Sequence, residues 1–313
     1  MQRHDVFCSF ILVTAMGIFG VPQLHATENG GTNKIPGVDT VAAGLMPPEG
    51  LRMTTFLGYY TASENRDGNG GKPSNISGFH FTAEALTVRF QYVWPGVNWL
   101  GANVETRVGQ AVYTDIKFRA DIQTPVGTIR RRGSDSGPIP GGILGPVMLG
   151  WHGQTLHQTL GPLLFYPTRG FDKTQVSNIA SGYRSIAPYY GVTWIPNDNW
   201  EISTATSYLF NQTNRDTNYQ SGRELNIDYG AEYVVRPSLR FGASGYVYKQ
   251  LTDDRLNGIA VAGGNRGQAL AIGPSLRYRV TKDFGITFKW QTEFKVENRA
   301  IGNRFYLQFL TVL

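Results

Sequence analysis

The feature that most constrains the fold is an alternation of apolar and polar side chains with a period of two residues, which recurs after residue 50. Between Ala85 and Trp94, for example, apolar side chains at every second position alternate with Thr87, Arg89 and Gln91. Successive side chains of a β-strand point to opposite faces, so the two faces of these segments meet different environments. The pattern predicts an all-β protein with strands over 51–63, 84–94, 99–115, 143–152, 155–166, 183–195, 199–210, 223–235, 238–251, 268–281, 284–297 and 303–313.

The connections between these twelve segments are alternately short and long. Short turns follow residue 94 and recur near 153, 196–198, 236–237 and 282–283, whereas the other connections are longer and polar. Transmembrane barrels have short periplasmic turns and longer external loops. We therefore expect a transmembrane antiparallel β-barrel of about twelve strands over 51–313, located in the bacterial outer membrane, with both ends of the barrel chain in the periplasm.

The tryptophans support this orientation. Five of the six lie beside short turns, where the aromatic girdle of a barrel meets the membrane–water interface: Trp94, Trp99, Trp151, Trp194 and Trp200. The mean hydropathy is only −0.24, and no apolar run after residue 26 approaches the roughly 18 residues of a spanning helix. In the strands of a barrel, apolar lipid-facing residues alternate with polar inward-facing ones, so the mean hydropathy stays low even though the strands cross a membrane.

The first 26 residues have the pattern of a secretory signal peptide. Arg3 and His4 precede an apolar run from Val6 to Val21, and we expect cleavage after Ala26. Residues 27–50 are then expected to form an N-terminal periplasmic segment. The only cysteine, Cys8, lies in the signal peptide, so the mature chain is expected to have no disulfide, thiolate metal site or cysteine nucleophile.

Motifs for catalysis and for cofactor binding are not recognisable in the sequence. No G-x-S-x-G elbow occurs, and none of His80, His152 and His157 lies two residues before a serine. The glycine-rich run that begins at Asp67 resembles neither a phosphate loop nor a calcium loop closely enough, and it reads as an external loop. We predict a non-enzymatic protein without metal or cofactor. The formal charge of +6 does not by itself indicate nucleic-acid binding.

The alternation places a set of charged residues on the inner face, because Arg or Lys at the midplane of the lipid face would cost about 2–4 kcal/mol each. Two interpretations stay open: a charged constriction in a water-filled pore, or a network of paired charges that fills the lumen. The candidate pore-lining residues are Arg89, Glu105, Arg107, Asp228, Glu232, Arg240, Arg277, Arg279, Lys289, Glu293 and Lys295.

Two further segments suggest partners besides membrane lipid. The final alternating strand resembles the signal read by the barrel-assembly machinery, although Leu313 replaces the usual terminal aromatic residue. Arg130, Arg131 and Arg132 lie in the longest loop, where they could contact lipopolysaccharide phosphates or simply be solvated.

Several motifs also resemble the phenol meta-pathway-associated outer-membrane proteins, a family of transporter barrels related to the SphB type. The resemblance extends from about Gly44 to the C-terminus, and its most specific part is the series Gln250-Leu251-Thr252-Asp253-Asp254, Gly264-Asn265-Arg266-Gly267 and Ala271-Ile272-Gly273-Pro274. It implies an outer-membrane channel for passive passage of small aromatic or hydrophobic molecules. A non-conducting structural or surface-interaction barrel and a lipid-acting barrel enzyme are the alternatives.

Overall fold

A computed structural model describes residues 28–313, so the predicted signal peptide lies outside the described residues. A 3₁₀ turn at Glu28–Gly30 precedes sixteen strands. No helix in the described range is long and apolar enough to cross a membrane. The strands are β1 Gly50–Asn65, β2 Ile76–Trp99, β3 Ala102–Thr124, β4 Gly127–Pro138, β5 Gly141–His152, β6 Leu156–Pro167, β7 Ser185–Asn197, β8 Trp200–Asn211, β9 Tyr219–Gln220, β10 Glu224–Arg236, β11 Leu239–Gln250, β12 Arg255–Leu256, β13 Ile259–Ala260, β14 Gln268–Arg279, β15 Phe284–Glu297 and β16 Ala300–Val312.

Twelve of these strands close into an antiparallel barrel. The order around the wall is β2-β1-β16-β15-β14-β11-β10-β8-β7-β6-β5-β3, and pairing of β2 with β3 completes the circle. Each predicted strand overlaps one barrel strand, so the predicted fold class and strand number are confirmed. Closure leaves no exposed sheet edge in the membrane, where an unpaired backbone group would cost several kcal/mol.

The wall extends beyond the membrane on one side. β2 begins at Ile76 and β3 continues to Thr124, where the sequence predicts loops, and β4 pairs with the outer half of β3. The apolar side chains of Phe79, Ala120 and Ile122 are buried on the inward face of this extension. This packing explains why the chain remains extended here.

Short turns and long loops lie at opposite ends of the barrel, which we call the short-turn end and the long-loop end. The short turns follow β2, β5, β7, β10 and β14. Four tryptophans at this end, Trp94, Trp99, Trp194 and Trp200, are 42–55% exposed, as an interfacial girdle requires. At the long-loop end, β9, β12 and β13 form a separate small sheet.

Strand β15 illustrates how the wall separates its two faces. Phe288 and Trp290 are exposed on the outer face, whereas Lys289 and Gln291 between them are fully buried on the inner face. The outer face therefore meets lipid and the inner face encloses the polar groups. This arrangement keeps the charges out of the hydrocarbon.

The barrel lumen as the candidate functional site

Residues 28–49, the N-terminal segment, pass through the barrel from one end to the other. At the long-loop end, the Glu28 carboxylate accepts hydrogen bonds from Thr217 Oγ1 at 2.6 Å and Asn214 Nδ2 at 2.8 Å. At the short-turn end, Glu49 Oε1 accepts one from the backbone N–H of Gly96 at 3.0 Å. The residues between these ends bond to the inner faces of strands on all sides of the lumen.

Asp228 on β10 is the central anchor of this segment. Its fully buried carboxylate accepts hydrogen bonds from Lys34 Nζ at 2.9 Å and from the backbone N–H groups of Gly37 and Asp39 at 2.7 and 3.0 Å. Asp39 in turn forms a 2.7 Å ion pair with Arg89 on β2. Charge-assisted bonds of this kind are about twice as strong as neutral ones.

Lys289 on β15 holds the same stretch from another part of the wall. Its Nζ donates to the carbonyl oxygens of Gly37 at 2.9 Å and Val38 at 2.7 Å. Gly37 has a positive φ of 80°, and a Cβ there would lie 2.0 Å from Gln291 Oε1, so the close approach requires glycine. Tyr306 completes the contact by donating to the Pro36 carbonyl oxygen at 2.7 Å.

The N-terminal segment therefore lies in the lumen, and the periplasmic position expected for residues 27–50 does not hold for Glu28 to Glu49. The physical reason is that the inner face offers charged groups which satisfy the backbone of an irregular chain. Because the segment is irregular, its sequence shows no alternation of apolar and polar residues from which its position could have been predicted. Although β1 starts and β16 ends at the short-turn end, the described chain begins at the long-loop end.

A second group of charges lies on four neighbouring strands, β8, β10, β11 and β14. Arg277 Nη2 contacts the carboxylates of Glu201 at 2.7 Å and Glu232 at 2.6 Å, and Arg240 also pairs with Glu201. Glu201 accepts a further hydrogen bond from the backbone N–H of Ala42 at 3.1 Å. This cluster therefore both braces the wall and holds the N-terminal segment.

A third group surrounds Glu293 on β15. The hydroxyl of Tyr60 donates to this carboxylate at 2.8 Å, and the hydroxyl of Tyr246 donates to it as well. The Arg304 guanidinium lies 4.3 Å from the centre of the Tyr60 ring and 3.7 Å from Glu293. Elsewhere on the inner face, Glu105 and Arg107, both on β3, form an ion pair at 2.7 Å. The inner charges are thus largely paired with one another.

One sector of the inner face, on β5 to β8, carries a cluster of buried apolar side chains among hydroxyl groups such as those of Thr193 and Ser203. Met148, Leu163, Phe165 and Tyr189 are among its buried side chains. Ala43 and Met46 of the N-terminal segment pack against the same cluster. The lumen consequently has a charged sector and an apolar sector, and the N-terminal segment covers both.

The predicted inner-face residues fall into two groups in the structure. Nine lie on the inner face: Arg89, Glu105, Arg107, Asp228, Glu232, Arg240, Arg277, Lys289 and Glu293. Arg279 is exposed at the short-turn end, where it donates to the Pro237 carbonyl oxygen. Lys295 is exposed at a bulge with a φ of 49°, beyond which Val296 is buried in its place. A bulge shifts the alternation by one residue, so the prediction for Lys295 is wrong.

Several inner charges escaped sequence reasoning. Glu201 and Arg304 lie on predicted strands, and the alternation used for their neighbours would have found them. Lys34 and Asp39 precede the first strand and carry no comparable signal.

The motifs that carry the family resemblance join the long loops to one another. Asp254, which is fully buried, accepts hydrogen bonds from Asn265 Nδ2 at 2.8 Å, Gln250 Nε2 at 2.7 Å and the backbone N–H of Gly222 at 2.7 Å. Burial raises the pKa of its carboxyl group. Its neighbour Asp253 pairs with Arg266 at 2.7 Å. These residues tie the loop between β8 and β10 to the loop between β11 and β14.

A family model described as "Putative MetA-pathway of phenol degradation" matches residues 64–309. The chain belongs to this family. Its fold is that of an outer-membrane channel from Pseudomonas putida F1, which is described as COG4313. That channel superimposes with a TM-score of 0.68 over 90% of this chain and 100% of its own, at 13% identity. The predicted family and outer-membrane location are confirmed.

Other solved barrels are less similar. The CymD monoaromatic hydrocarbon channel matches at a TM-score of 0.45 and 9% identity, over 86% of this chain and 90% of its own. The NanC porin matches at a TM-score of 0.45 and 11% identity, over 83% of this chain and 100% of its own. No curated protein sequence matches this chain.

Proposed function

We propose that this protein is a channel for passive passage of small aromatic or apolar molecules across the outer membrane, and that the N-terminal segment closes it at rest. The observation that carries the proposal is the apolar sector of the lumen on β5 to β8. An apolar solute can contact such a surface, whereas a lumen lined only by charged groups would offer it none. Displacement of Ala43 and Met46 would open this stripe to a solute.

The expected strength of solute binding suits passage. Burying one aromatic ring against an apolar surface contributes about 1.5–3 kcal/mol. Binding this weak favours entry and still permits rapid exit, which conduction requires. The paired charges of the opposite sector would orient a polar group of the solute without holding it.

Uptake by cells lacking the gene provides the test. Wild-type protein is expected to restore growth on an aromatic carbon source, whereas Leu163→Asp, which places a charge in the apolar sector, is expected to reduce uptake severalfold. Ser244→Ala, on β11 in the polar sector, is the control. Folding of each variant is checked by its shift on an unheated gel. Equal uptake of the aromatic solute with and without the gene would reject the proposal.

A non-conducting structural barrel is the second candidate, and the pairing of the inner charges favours it. Almost every inner carboxylate described above contacts a cation or a hydrogen-bond donor. Such a network stabilises a filled lumen and needs no transport role. The two candidates differ in whether removal of the N-terminal segment opens the barrel.

Contact with lipopolysaccharide phosphate groups is part of the same proposal. Arg119, Arg130 and Arg132 share the outward face of the β3–β4 hairpin, on the long-loop side of the exposed Tyr113 of the wall. Replacing all three arginines with Gln is expected to lower the amount of lipopolysaccharide that copurifies with the barrel. Unchanged copurification would show that the arginines are merely solvated. Recognition of β16 by the assembly machinery stays a prediction.

A further inference from the structure

A row of neutral polar side chains crosses three neighbouring strands on the inner face, towards the long-loop end. Asn226 on β10 is directly opposite Ser207 on β8 and Tyr248 on β11. All three residues are fully buried. Because opposed side chains of antiparallel strands have their Cβ atoms about 4.5–5.5 Å apart, the three residues form one continuous polar surface, which we call the polar row.

The polar atoms of this row lack partners within the chain. Among the described residues, neither Nδ2 nor Oδ1 of Asn226 has a hydrogen-bond partner, and the same holds for Ser207 Oγ and the Tyr248 hydroxyl. Leaving a buried donor or acceptor unsatisfied costs free energy, so such groups are rare in native proteins. Several of them side by side point to a group outside the chain as their partner.

The polar row borders the apolar cluster of the lumen. Ser207 lies between Ala205 and Leu209 on the inner side of β8, and both of these residues belong to that cluster. Tyr189, which is opposite Ser207 on β7, belongs to it as well. An apolar ring that contacts the cluster would therefore place a substituent beside Ser207 and Asn226.

Donors and acceptors occur together in the polar row, and this decides which substituent it suits. The Asn226 amide offers both a donor and an acceptor, and each hydroxyl of the row can act as either. A hydroxyl group on a solute also donates and accepts, whereas a carboxylate only accepts and a hydrocarbon does neither. The row is therefore complementary to a hydroxyl group.

The charges around the row are balanced. Two carboxylates flank it on β10, those of Glu224 and Asp228. Lys34 pairs with Asp228 at 2.9 Å, and the Arg299 guanidinium lies 4.1 Å from the centre of the Tyr248 ring. Because an ion without an opposite partner is costly to bury, these surroundings favour a neutral solute over an anion.

We propose that the polar row binds the hydroxyl group of a neutral aromatic solute, so that the barrel prefers phenols to aromatic hydrocarbons and aromatic carboxylates. This inference rests on the proposed channel function and adds the substrate class to it. Lys34 of the N-terminal segment bonds to Asp228, two residues from Asn226. Displacement of the segment would therefore uncover the row together with the apolar cluster.

The test is the initial uptake of radiolabelled phenol, toluene and benzoate by cells that lack the gene and carry each variant. Asn226→Leu removes the amide at similar volume. It is expected to lower gene-dependent phenol uptake about fivefold and to leave toluene uptake unchanged, as the loss of one neutral hydrogen bond implies. Ser207→Ala and Tyr248→Phe should each lower phenol uptake about twofold. Tyr229→Phe, on the outward face of β10, is the matched control and should leave the phenol-to-toluene ratio unchanged.

The outcomes separate this inference from the channel function. If Asn226→Leu changes phenol and toluene uptake equally, or changes neither, the row does not recognise the hydroxyl group and the inference is wrong, while gene-dependent uptake still supports the channel. A fall in benzoate uptake instead of phenol uptake would assign the row to a carboxylate and overturn the inference as well. If phenol uptake does not depend on the gene, the channel function fails and the inference with it. A gel shift of the unheated protein verifies that each variant is folded.

Discussion

Deletion of residues 28–46 is expected to raise single-channel conductance about tenfold in planar bilayers, because it removes the chain that fills the lumen. The segment bonds to Asp228, Lys289 and Glu201 on three different strands, and its Asp39 pairs with Arg89 on β2, so it contacts several sides of the interior. A twelve-stranded barrel without it would be wide enough to admit water, although narrower than the 16–18-stranded porins. The released charges would then be hydrated rather than buried.

The control for this experiment is a barrel shortened by a similar length outside the lumen, in the hairpin between β3 and β4. Its conductance should equal that of wild type, since the hairpin extends beyond the membrane. If the deletion of 28–46 leaves conductance unchanged while the barrel remains folded, the lumen is closed by the wall itself. The structural-barrel candidate would then be the better account.

Arg277→Ala is expected to destabilise the barrel by about 3 kcal/mol, at the lower end of the range of about 3–5 kcal/mol for breaking a buried ion pair. The substitution leaves the carboxylates of Glu201 and Glu232, whose side chains are 3% and 1% exposed, with fewer cationic partners. The lower end applies because the Arg277 side chain is 23% exposed and Arg240 still contacts Glu201. Thermal unfolding in detergent measures the effect.

A rescue variant separates the lost charge pairing from lost packing. Arg277→Ala combined with Glu232→Gln removes the negative charge left without a cationic partner and keeps the Arg240–Glu201 pair, so it should recover part of the lost stability. Arg236→Ala, which changes an exposed arginine at the short-turn end, should alter stability by less than about 0.5 kcal/mol. Equal stabilities of wild type and Arg277→Ala would contradict the interpretation of this cluster as a structural brace.

The barrel could be predicted from the sequence because its information is local. A period of two over ten residues reports which face of a strand meets lipid, and Lys289 between Phe288 and Trp290 shows how strongly the energy of burial enforces it. The lengths of the turns and the positions of the tryptophans then predict which end of the barrel carries the short turns and which the long loops. The same rule failed at Lys295 because a bulge inserts one residue and leaves no distinctive sequence pattern.

The N-terminal segment could not be predicted because its information is not local. The Gly37 amide bonds to a carboxylate 191 positions away, and the Pro36 carbonyl accepts from a residue 270 positions away. Such an irregular chain has no period, and its partners are recognisable only after the barrel has closed. The outer halves of β2 and β3 were missed for a different reason, since the sequence there alternates but carries charges that suggest a loop.

Protection of a single cysteine in the lumen tests the account most directly. The mature chain is expected to have no other cysteine, so Thr40→Cys, at a fully buried position of the N-terminal segment, can be compared with Val126→Cys at a 95% exposed hairpin tip. Both folded proteins are treated with a hydrophilic maleimide. We expect rapid labelling at position 126 and labelling at position 40 only after unfolding. Labelling of both at the same rate would show that the segment does not occupy the lumen.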